Sequence, residues 1–244
     1  MKIVVLTTQT AHHSYFVAEL KKTHPIEAVI EETTILKAPF PTHHAMDDKR
    51  DQYEKQHFFE GKDVTLGELA RLHRVDSINS AQGIALLESH APDIVIVFGT
   101  GRLSAQALST APNCFFNLHG GDPQKYRGLD SHLWAIYHKD FESLNVTLHS
   151  MNTNLDEGDV VNSMALELNE GMHLFELRAL TTKVSVKLVR QALDASRENP
   201  SLTATPQKAR GRYYSWMPAV LKDSCENNFN NHMHAMRKLE EHAV

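Results

Sequence analysis

Cysteine is scarce in this chain of 244 residues, with only Cys114 and Cys225, far apart in sequence. Two isolated cysteines exclude a disulfide framework and a Cys-x-x-Cys metal site. Long apolar runs are missing, and the N-terminus lacks the parts of a signal peptide, so we expect a cytoplasmic protein without membrane contact. Excess positive charge is missing as well. The formal net charge of −5 gives no support for a nucleic-acid partner.

Glycine is absent from the turn after the first predicted strand, between Thr7 and His13. This absence excludes a Gly-x-Gly-x-x-Gly fingerprint there and argues against a nicotinamide enzyme. Histidine, by contrast, is abundant, at 16 residues. The adjacent pairs His12-His13 and His43-His44 should point in divergent directions, and no pair has the spacing of a zinc helix. We therefore predict no metal, and we interpret these histidines as surface or interface residues.

Apolar runs that alternate with helical patterns predict an α/β fold. Lys2 to Leu6, Ile26 to Ile30 and Asp93 to Phe98 have the continuous apolar character of strands in a parallel sheet. Ala81 to His90 has the periodicity of an amphipathic helix. We predict a Rossmann-like, doubly wound and mostly parallel sheet. The length is sufficient for one large domain or two lobes.

Residues 31 to 64 form a probable insertion, in which the charge-dense stretch from Asp47 to Glu60 predicts an exposed helix. A solvated surface excursion is the favoured interpretation, and a substrate lid is the alternative. After it, the pattern predicts a short helix over Leu66 to Leu72 and a short strand over Val75 to Ile78.

The stretch from Cys114 to Ala135 combines a short apolar strand, a polar tip, a glycine-bearing loop and a helix. Asn117 and His119 are two residues apart, so an extended backbone places their side chains on the same side. Asp130 and Ser131 are candidate N-caps for the following helix. An α/β protein builds sites in this way at the carboxyl ends of its strands.

Two further loops bear on this site. Gly99-Thr100-Gly101-Arg102 follows the strongest strand, and is either an ordinary connection or a wall for a flat heterocycle bound through backbone groups. The acidic turn Asn154 to Asp159 follows a strand that begins at Asn145. A carboxylate from this turn would join Asn117 and His119 in a set of amide, imidazole and carboxylate.

Three separated motifs together resemble the formyltransferases that use 10-formyltetrahydrofolate. They are Asn117-Leu118-His119, Lys125-Tyr126-Arg127-Gly128 and Leu155-Asp156-Glu157-Gly158-Asp159, and the resemblance covers roughly residues 1 to 195. It implies that Asn117, His119 and Asp156 are catalytic. It also implies that the folate co-substrate contacts Gly99, Thr100, Gly101, Arg102, Leu103, Ser104, Asn154 and Leu155. The acceptor amine would enter near Gly120, Gly121, Asp122, Lys125, Tyr126, Arg127 and Asp130.

The expected chemistry is attack of an amine on a formyl carbon. Asn117 and a protonated His119 would donate hydrogen bonds to the formyl oxygen. Asp156 would raise the pKa of His119, orient its ring and accept the proton that leaves the amine. The family usually has Pro-Ser-Leu-Leu-Pro after the histidine, whereas this chain has Gly-Gly-Asp-Pro-Gln, which affects the acceptor more than the chemistry.

Among the branches of the family, the sugar N-formyltransferases are most similar. The first turn lacks the glycine-rich phosphate loop of the purine enzyme, and the ends of the chain leave no room for the extra domains of the tRNA enzyme or the hydrolase. The expected acceptor is a nucleotide-linked amino sugar. The alternatives are an amino-acid amine or a folate- or nucleotide-binding protein without turnover.

We divide the chain into a catalytic domain, 1–200, and a C-terminal extension, 201–244. The aromatic segment Gly211 to Pro218 is either a strap on the core or a contact for a dimer partner or nucleotide, so a homodimer is possible. The pattern from Phe229 to Leu239 predicts a final helix.

Overall fold

The computed structural model of the chain describes residues 1–34, 36–196 and 202–241. The strands, numbered in chain order, are β1 Ile3–Thr7, β2 Ile26–Glu32, β3 Leu72–Val75, β4 Ile94–Phe98, β5 Phe115–His119, β6 Tyr126–Gly128, β7 Asn145–Ser150, β8 Val160–Ala165 and β9 Arg212–Tyr214. The helices are α1 Ala11–Leu20, α2 Ala45–Phe59, α3 Leu66–Leu69, α4 Ala81–His90, α5 Ala105–Ser109, α6 Ser131–Tyr137, α7 Leu177–Ala195 and α8 Ala219–Glu241. Short 3-10 turns lie at Phe141–Ser143 and Leu174–Glu176.

A seven-stranded sheet in the order β3-β2-β1-β4-β5-β7-β8 forms the centre of the molecule. The pairs among β3, β2, β1, β4 and β5 are parallel, whereas β7 and β8 are antiparallel. All five residues of β1 are buried, as expected for an apolar strand covered on both faces. The predicted α/β class with a mostly parallel sheet is confirmed. The strand order reverses between β1 and β4, which is where α/β proteins form their crevices.

Several element boundaries differ from the sequence prediction. The helix expected over Leu66 to Leu72 ends at Leu69, and the strand expected at Val75 to Ile78 is instead Leu72–Val75. The bounds of β3 follow from its pairing with β2, in which Leu72 lies beside Val29 and Val75 lies beside Glu32. The final helix begins at Ala219, ten residues before the predicted start at Phe229. An exposed Val220 in the first turn and the polar residues between Lys222 and Asn228 interrupt the amphipathic pattern.

Helix α2 forms within the predicted stretch, but it is only partly solvated, because three of its residues are buried. Its charged residues Asp47 and Glu54 are buried, and Glu54 is 0% exposed. These carboxylates pair with Arg178 of α7 and Lys222 of α8, which are distant in sequence. A high local charge density therefore indicated a buried ionic network here, and only the tertiary structure reveals its partners.

The C-terminal segment packs on the core. Strand β9 pairs in parallel with β6, and Trp134 Nε1 donates to the carbonyl of Ser215 at 2.8 Å. Cys225 and Phe229 of α8 are fully buried. The predicted boundary at residue 200 lies outside the described residues, so the division into two parts stays a prediction, as does the homodimer. Within the described ranges, no helix is long and apolar enough to cross a membrane.

Candidate active site

Adjacent antiparallel strands bring three side chains to one face of the sheet. Asn117 and His119 lie two residues apart on β5, and Asn117 is the register partner of His149 on β7. The Asn117 Nδ2 atom lies 3.2 Å from His149 Nε2. The alternation that predicted a common side for Asn117 and His119 also places His149 there. His149 was not predicted as a site residue, because only the pairing of β5 with β7 places it beside Asn117.

Asp156 joins this group from the loop after β7. Its backbone is left-handed, with φ of 54°, and its carboxylate accepts from Gly128 N at 2.7 Å and Asn117 Nδ2 at 3.4 Å. Burial alone would raise the pKa of Asp156. The positive charge of a protonated His119 and hydrogen bonds from His149 and Gly128 outweigh burial and lower that pKa to about 2. Asp156 is therefore a carboxylate at neutral pH.

His119 is held at both ring nitrogens. Its Nε2 lies 2.8 Å from the carbonyl oxygen of Tyr126, so Nε2 carries the proton and donates it there. Its Nδ1 faces Asp156 Oδ2 at 3.6 Å. Burial lowers the pKa of His119, and the opposing effect of Asp156 does not compensate. Asp156 raises the pKa of His119, as expected, but burial lowers that pKa by more, so the net shift opposes the protonated His119 that was expected.

A cavity of about 420 Å³ opens beside these groups. This volume is within the range of small-molecule sites. Asn117, His119, His149 and Asp156 all line it. Apolar side chains from β4 to β7 form part of its wall: Val97, Leu103, Leu118 and Met151.

The loop after β4 is fixed in place by contacts from two other elements. Gly101 N donates to Glu32 Oε2 at 2.7 Å, and the other oxygen of Glu32 accepts from Ile78 N at 3.0 Å. Gly99 has φ of +86°, and a Cβ there would lie 2.4 Å from His13 Cε1. Only glycine allows this close approach.

The residues predicted for the folate mostly line the cavity, namely Gly99, Thr100, Gly101, Arg102, Leu103, Asn154 and Leu155. Ser104 does not. It caps α5 instead, because its hydroxyl accepts from Ala107 N.

Only some of the residues predicted to bind the acceptor line the cavity. Gly120 and Asp130 line the cavity, and the others do not, namely Gly121, Asp122, Lys125, Tyr126 and Arg127. Arg127 is buried and donates to the carbonyls of Gly211 and Leu155 and to the carboxylate of Glu157. It therefore holds β9 and the Asp156 loop together. Asp130 does not cap α6 through its side chain, which accepts from Met217 N at 2.8 Å.

A further part of the cavity wall comes from residues that were assigned elsewhere or not singled out from the sequence. His12 and His13 of α1 are buried rather than at the surface, and their rings lie 4.0 Å apart rather than pointing in divergent directions. Arg50 of α2 and Arg178 of α7 also line the cavity. Among residues 1–34, 36–196 and 202–241, no group of three or more histidine, cysteine or acidic side chains is arranged to hold a metal ion.

Comparison with known proteins supports the resemblance that the motifs indicated. The profile of the formyl transferase family matches residues 1–193. The chain belongs to the formyl transferase family. A methionyl-tRNA formyltransferase from Anaeromyxobacter dehalogenans (strain 2CP-C) is 34% identical over 107 residues, which are 41% of this chain and 34% of that protein. The match thus spans about a third of this curated relative.

Solved structures share the fold of this formyl transferase family member. A 4-N formyltransferase from Francisella tularensis has a TM-score of 0.58 and 18% identity, over 88% of this chain and 76% of that one. The formyltransferase PseJ from Anoxybacillus kamchatkensis has a TM-score of 0.54 and 16% identity, over 88% and 86%. That structure contains UDP-4,6-dideoxy-4-formamido-L-AltNAc and tetrahydrofolate. At these identities, the likeness demonstrates the fold alone.

Proposed function

We propose that this protein transfers a formyl group from 10-formyltetrahydrofolate to a primary amine. The proposal depends on the convergence of Asn117, His119 and Asp156 at one end of a cavity, in a chain of the formyl transferase family. No other observation carries as much weight, because these residues come from two separated segments.

The cavity fits the proposed co-substrate in its chemistry. Apolar side chains such as Leu103 and Met151 offer surface for a flat ring, and the backbone of Gly99 to Arg102 offers hydrogen-bonding groups beside it. Bound there, the folate would supply the formyl unit, with N10 as the leaving nitrogen.

The side chains of this chain have distinct roles in the proposed reaction. The amide of Asn117 donates a hydrogen bond to the formyl oxygen, on which negative charge develops as the amine adds. The carboxylate of Asp156 receives the proton that leaves the attacking nitrogen, directly or through water. A carboxylate with a pKa of about 2 holds that proton only briefly. The neutral Nδ1 of His119, 3.6 Å away, can relay the proton to the departing N10.

A nucleotide-linked amino sugar is the proposed acceptor, in a cytoplasmic reaction. The support is that PseJ, a protein of the same fold, is described with a UDP-linked formamido sugar. The methionyl-tRNA formyltransferase relative provides a competing acceptor, which the experiment must include.

The test is an assay with labelled 10-formyltetrahydrofolate and a panel of amines: nucleotide-linked amino sugars, amino acids and methionyl-tRNA. We expect formyl transfer to an amino sugar. Asp156→Asn should reduce kcat by about 10²- to 10⁴-fold without unfolding the protein, because it removes the proton acceptor. Asp159→Asn, a more exposed neighbour in the same turn, is the control and should retain activity. Wild-type turnover by Asp156→Asn, or folate binding without any product, would refute the proposal.

A further inference from the structure

Two guanidinium groups line the cavity but have no part in the proposed transfer step. Arg50 lies on α2 and Arg178 in the first turn of α7. Their side chains are 22% and 30% exposed, so each reaches solvent while most of its surface is covered. Arginine side chains in such positions bind planar or tetrahedral oxyanions through several N–H groups.

Carboxylates that do not line the cavity hold both arginines in place through hydrogen bonds. Arg178 donates from Nε and Nη2 to the two oxygens of Glu54, at 2.6 and 2.7 Å. Arg50 donates from Nη1 to Asp47 Oδ1 at 2.6 Å. The exposed carboxylate of Asp51 lies between the two guanidiniums, and its Oδ1 accepts from Arg50 Nε at 2.9 Å and from Arg178 Nη2 at 2.6 Å. Both arginines therefore already converge on one oxyanion. In the part of the chain that the structure describes, Arg178 Nη1 has no hydrogen-bond partner. A guanidinium anchored on one edge loses little side-chain entropy when its other edge binds a ligand.

A short path of contacts connects Arg178 with the tip of β5. Thr181 lies one helical turn after Arg178, about 4.5 Å along the axis. Thr181 Oγ1 is 3.4 Å from His132 Nδ1. A Cβ on Gly120, the residue after His119, would lie 3.4 Å from His132 Cε1. The guanidinium is therefore within the length of a small nucleotide from the proposed reacting centre.

The charges of Arg50 and Arg178 affect the pKa of a histidine in the cavity wall. Burial lowers the pKa of His12 well below its usual value, and the charges of Arg178 and Arg50 lower it further. His12 is thus a neutral ring, with its Nδ1 3.5 Å from Glu54 Oε2. The carboxylates that pair with the two arginines do not line the cavity, so Arg50 and Arg178 are the charged groups that a ligand meets on this wall.

We propose that Arg50 and Arg178 form an oxyanion clamp that binds the diphosphate of the acceptor. This inference rests on the proposed function, and it assigns the acceptor a phosphate-type anion at the part of the cavity wall that Arg50 and Arg178 form. A carboxylate shares the same chemistry with a guanidinium, so an amino-acid acceptor is the competing source of the anion. The clamp makes helix α2 part of the substrate site.

Binding experiments test the clamp independently of catalysis. Titration calorimetry on the full chain would measure the affinities of UDP, dTDP, inorganic pyrophosphate and ornithine. The variants are Arg50→Gln and the double variant Arg178→Gln/Glu54→Gln, which removes the cation without leaving the buried Glu54 unpaired. Lys183→Gln is the matched control, because Lys183 is an exposed cation on the same helix that does not line the cavity.

We expect the affinity for a nucleoside diphosphate to fall by about tenfold or more in each clamp variant, since each loses charge-assisted hydrogen bonds, and to stay unchanged in Lys183→Gln. Unchanged affinity in Arg50→Gln and in the double variant overturns the clamp. If the clamp variants lose affinity for ornithine but not for UDP, dTDP or pyrophosphate, the clamp binds a carboxylate and its assignment to a diphosphate is overturned. If nucleotide binding depends on the clamp but no amine is formylated, the clamp stands and the proposed function fails.

Discussion

The His119 ring has a charged neighbour at one nitrogen and a carbonyl at the other. Burial lowers its pKa, and Asp156 is the largest effect in the opposite direction. Asp156→Asn removes that negative charge, so we predict that the pKa of His119 falls further still. The measurement is an NMR titration of the imidazole C–H signals in both proteins, with Asp159→Asn as the control. A His119 pKa that is unchanged or raised in Asp156→Asn would contradict the geometry.

Single residues also show how far sequence reasoning reaches. Asn117, His119 and Asp156 lie together, as their types, spacing and order predicted, and their catalytic role stays a proposal. His149 was missed because a histidine in a strand is ordinary until its register partner is known. Arg127 was assigned to the acceptor because it lies within a motif, yet that motif also serves the fold. A motif identifies which residues matter, but not whether each contacts a ligand or supports the site.

At the scale of elements, a buried ion pair joins α2 to α8. Lys222 Nζ donates to Asp47 Oδ2 at 2.8 Å, and the two side chains are 6% and 10% exposed. Lys222→Met leaves a buried carboxylate with less compensation, and we predict that it lowers the free energy of unfolding by about 3 kcal/mol. Urea denaturation would measure the loss.

Two further variants sharpen this test. Asp47→Asn/Lys222→Met should lose less stability than Lys222→Met, because it removes both charges together. Lys62→Met, which removes a lysine that is 76% exposed, should change stability by less than about 1 kcal/mol. A double variant that is as unstable as Lys222→Met would show that the pair is not the cause.

Elements were predictable where the local pattern decides them. Strand β4 is apolar throughout and β1 is apolar up to Thr7, and their bounds agree with the sequence to within a residue. Helix α2 was predicted as an exposed helix, and what the prediction lacked was the burial of Asp47 and Glu54, which pair with Lys222 and Arg178 from distant parts of the chain. The approach of His13 to Gly99, likewise, depends on the strand order, which no local pattern encodes.

For the whole molecule, the buried histidines predict an unusual dependence of stability on pH. Burial lowers the pKa values of His12, His13, His119 and His132, in the last case to about 4. In the unfolded chain they titrate near pH 6.5, so below that value the unfolded state binds more protons. The stability that these histidines contribute by staying neutral when folded is therefore complete above pH 6.5, and it is lost as the pH falls below that value. For His132 alone, the loss between pH 7.5 and 5.5 is about 1.3 kcal/mol.

Urea denaturation at pH 7.5 and 5.5 would measure this loss in the wild-type protein and in two variants. His132→Gln should have a pH dependence that is smaller by about 1.3 kcal/mol, whatever its stability at either pH, because the titrating group is gone. His43→Gln is the control, since His43 is 71% exposed and should leave the pH dependence unchanged. Equal stability of the wild-type protein at both pH values would mean that these imidazoles take up protons in the folded state as readily as in the unfolded chain. In that case the lowered pKa values of the buried histidines, including that of His119, would be wrong.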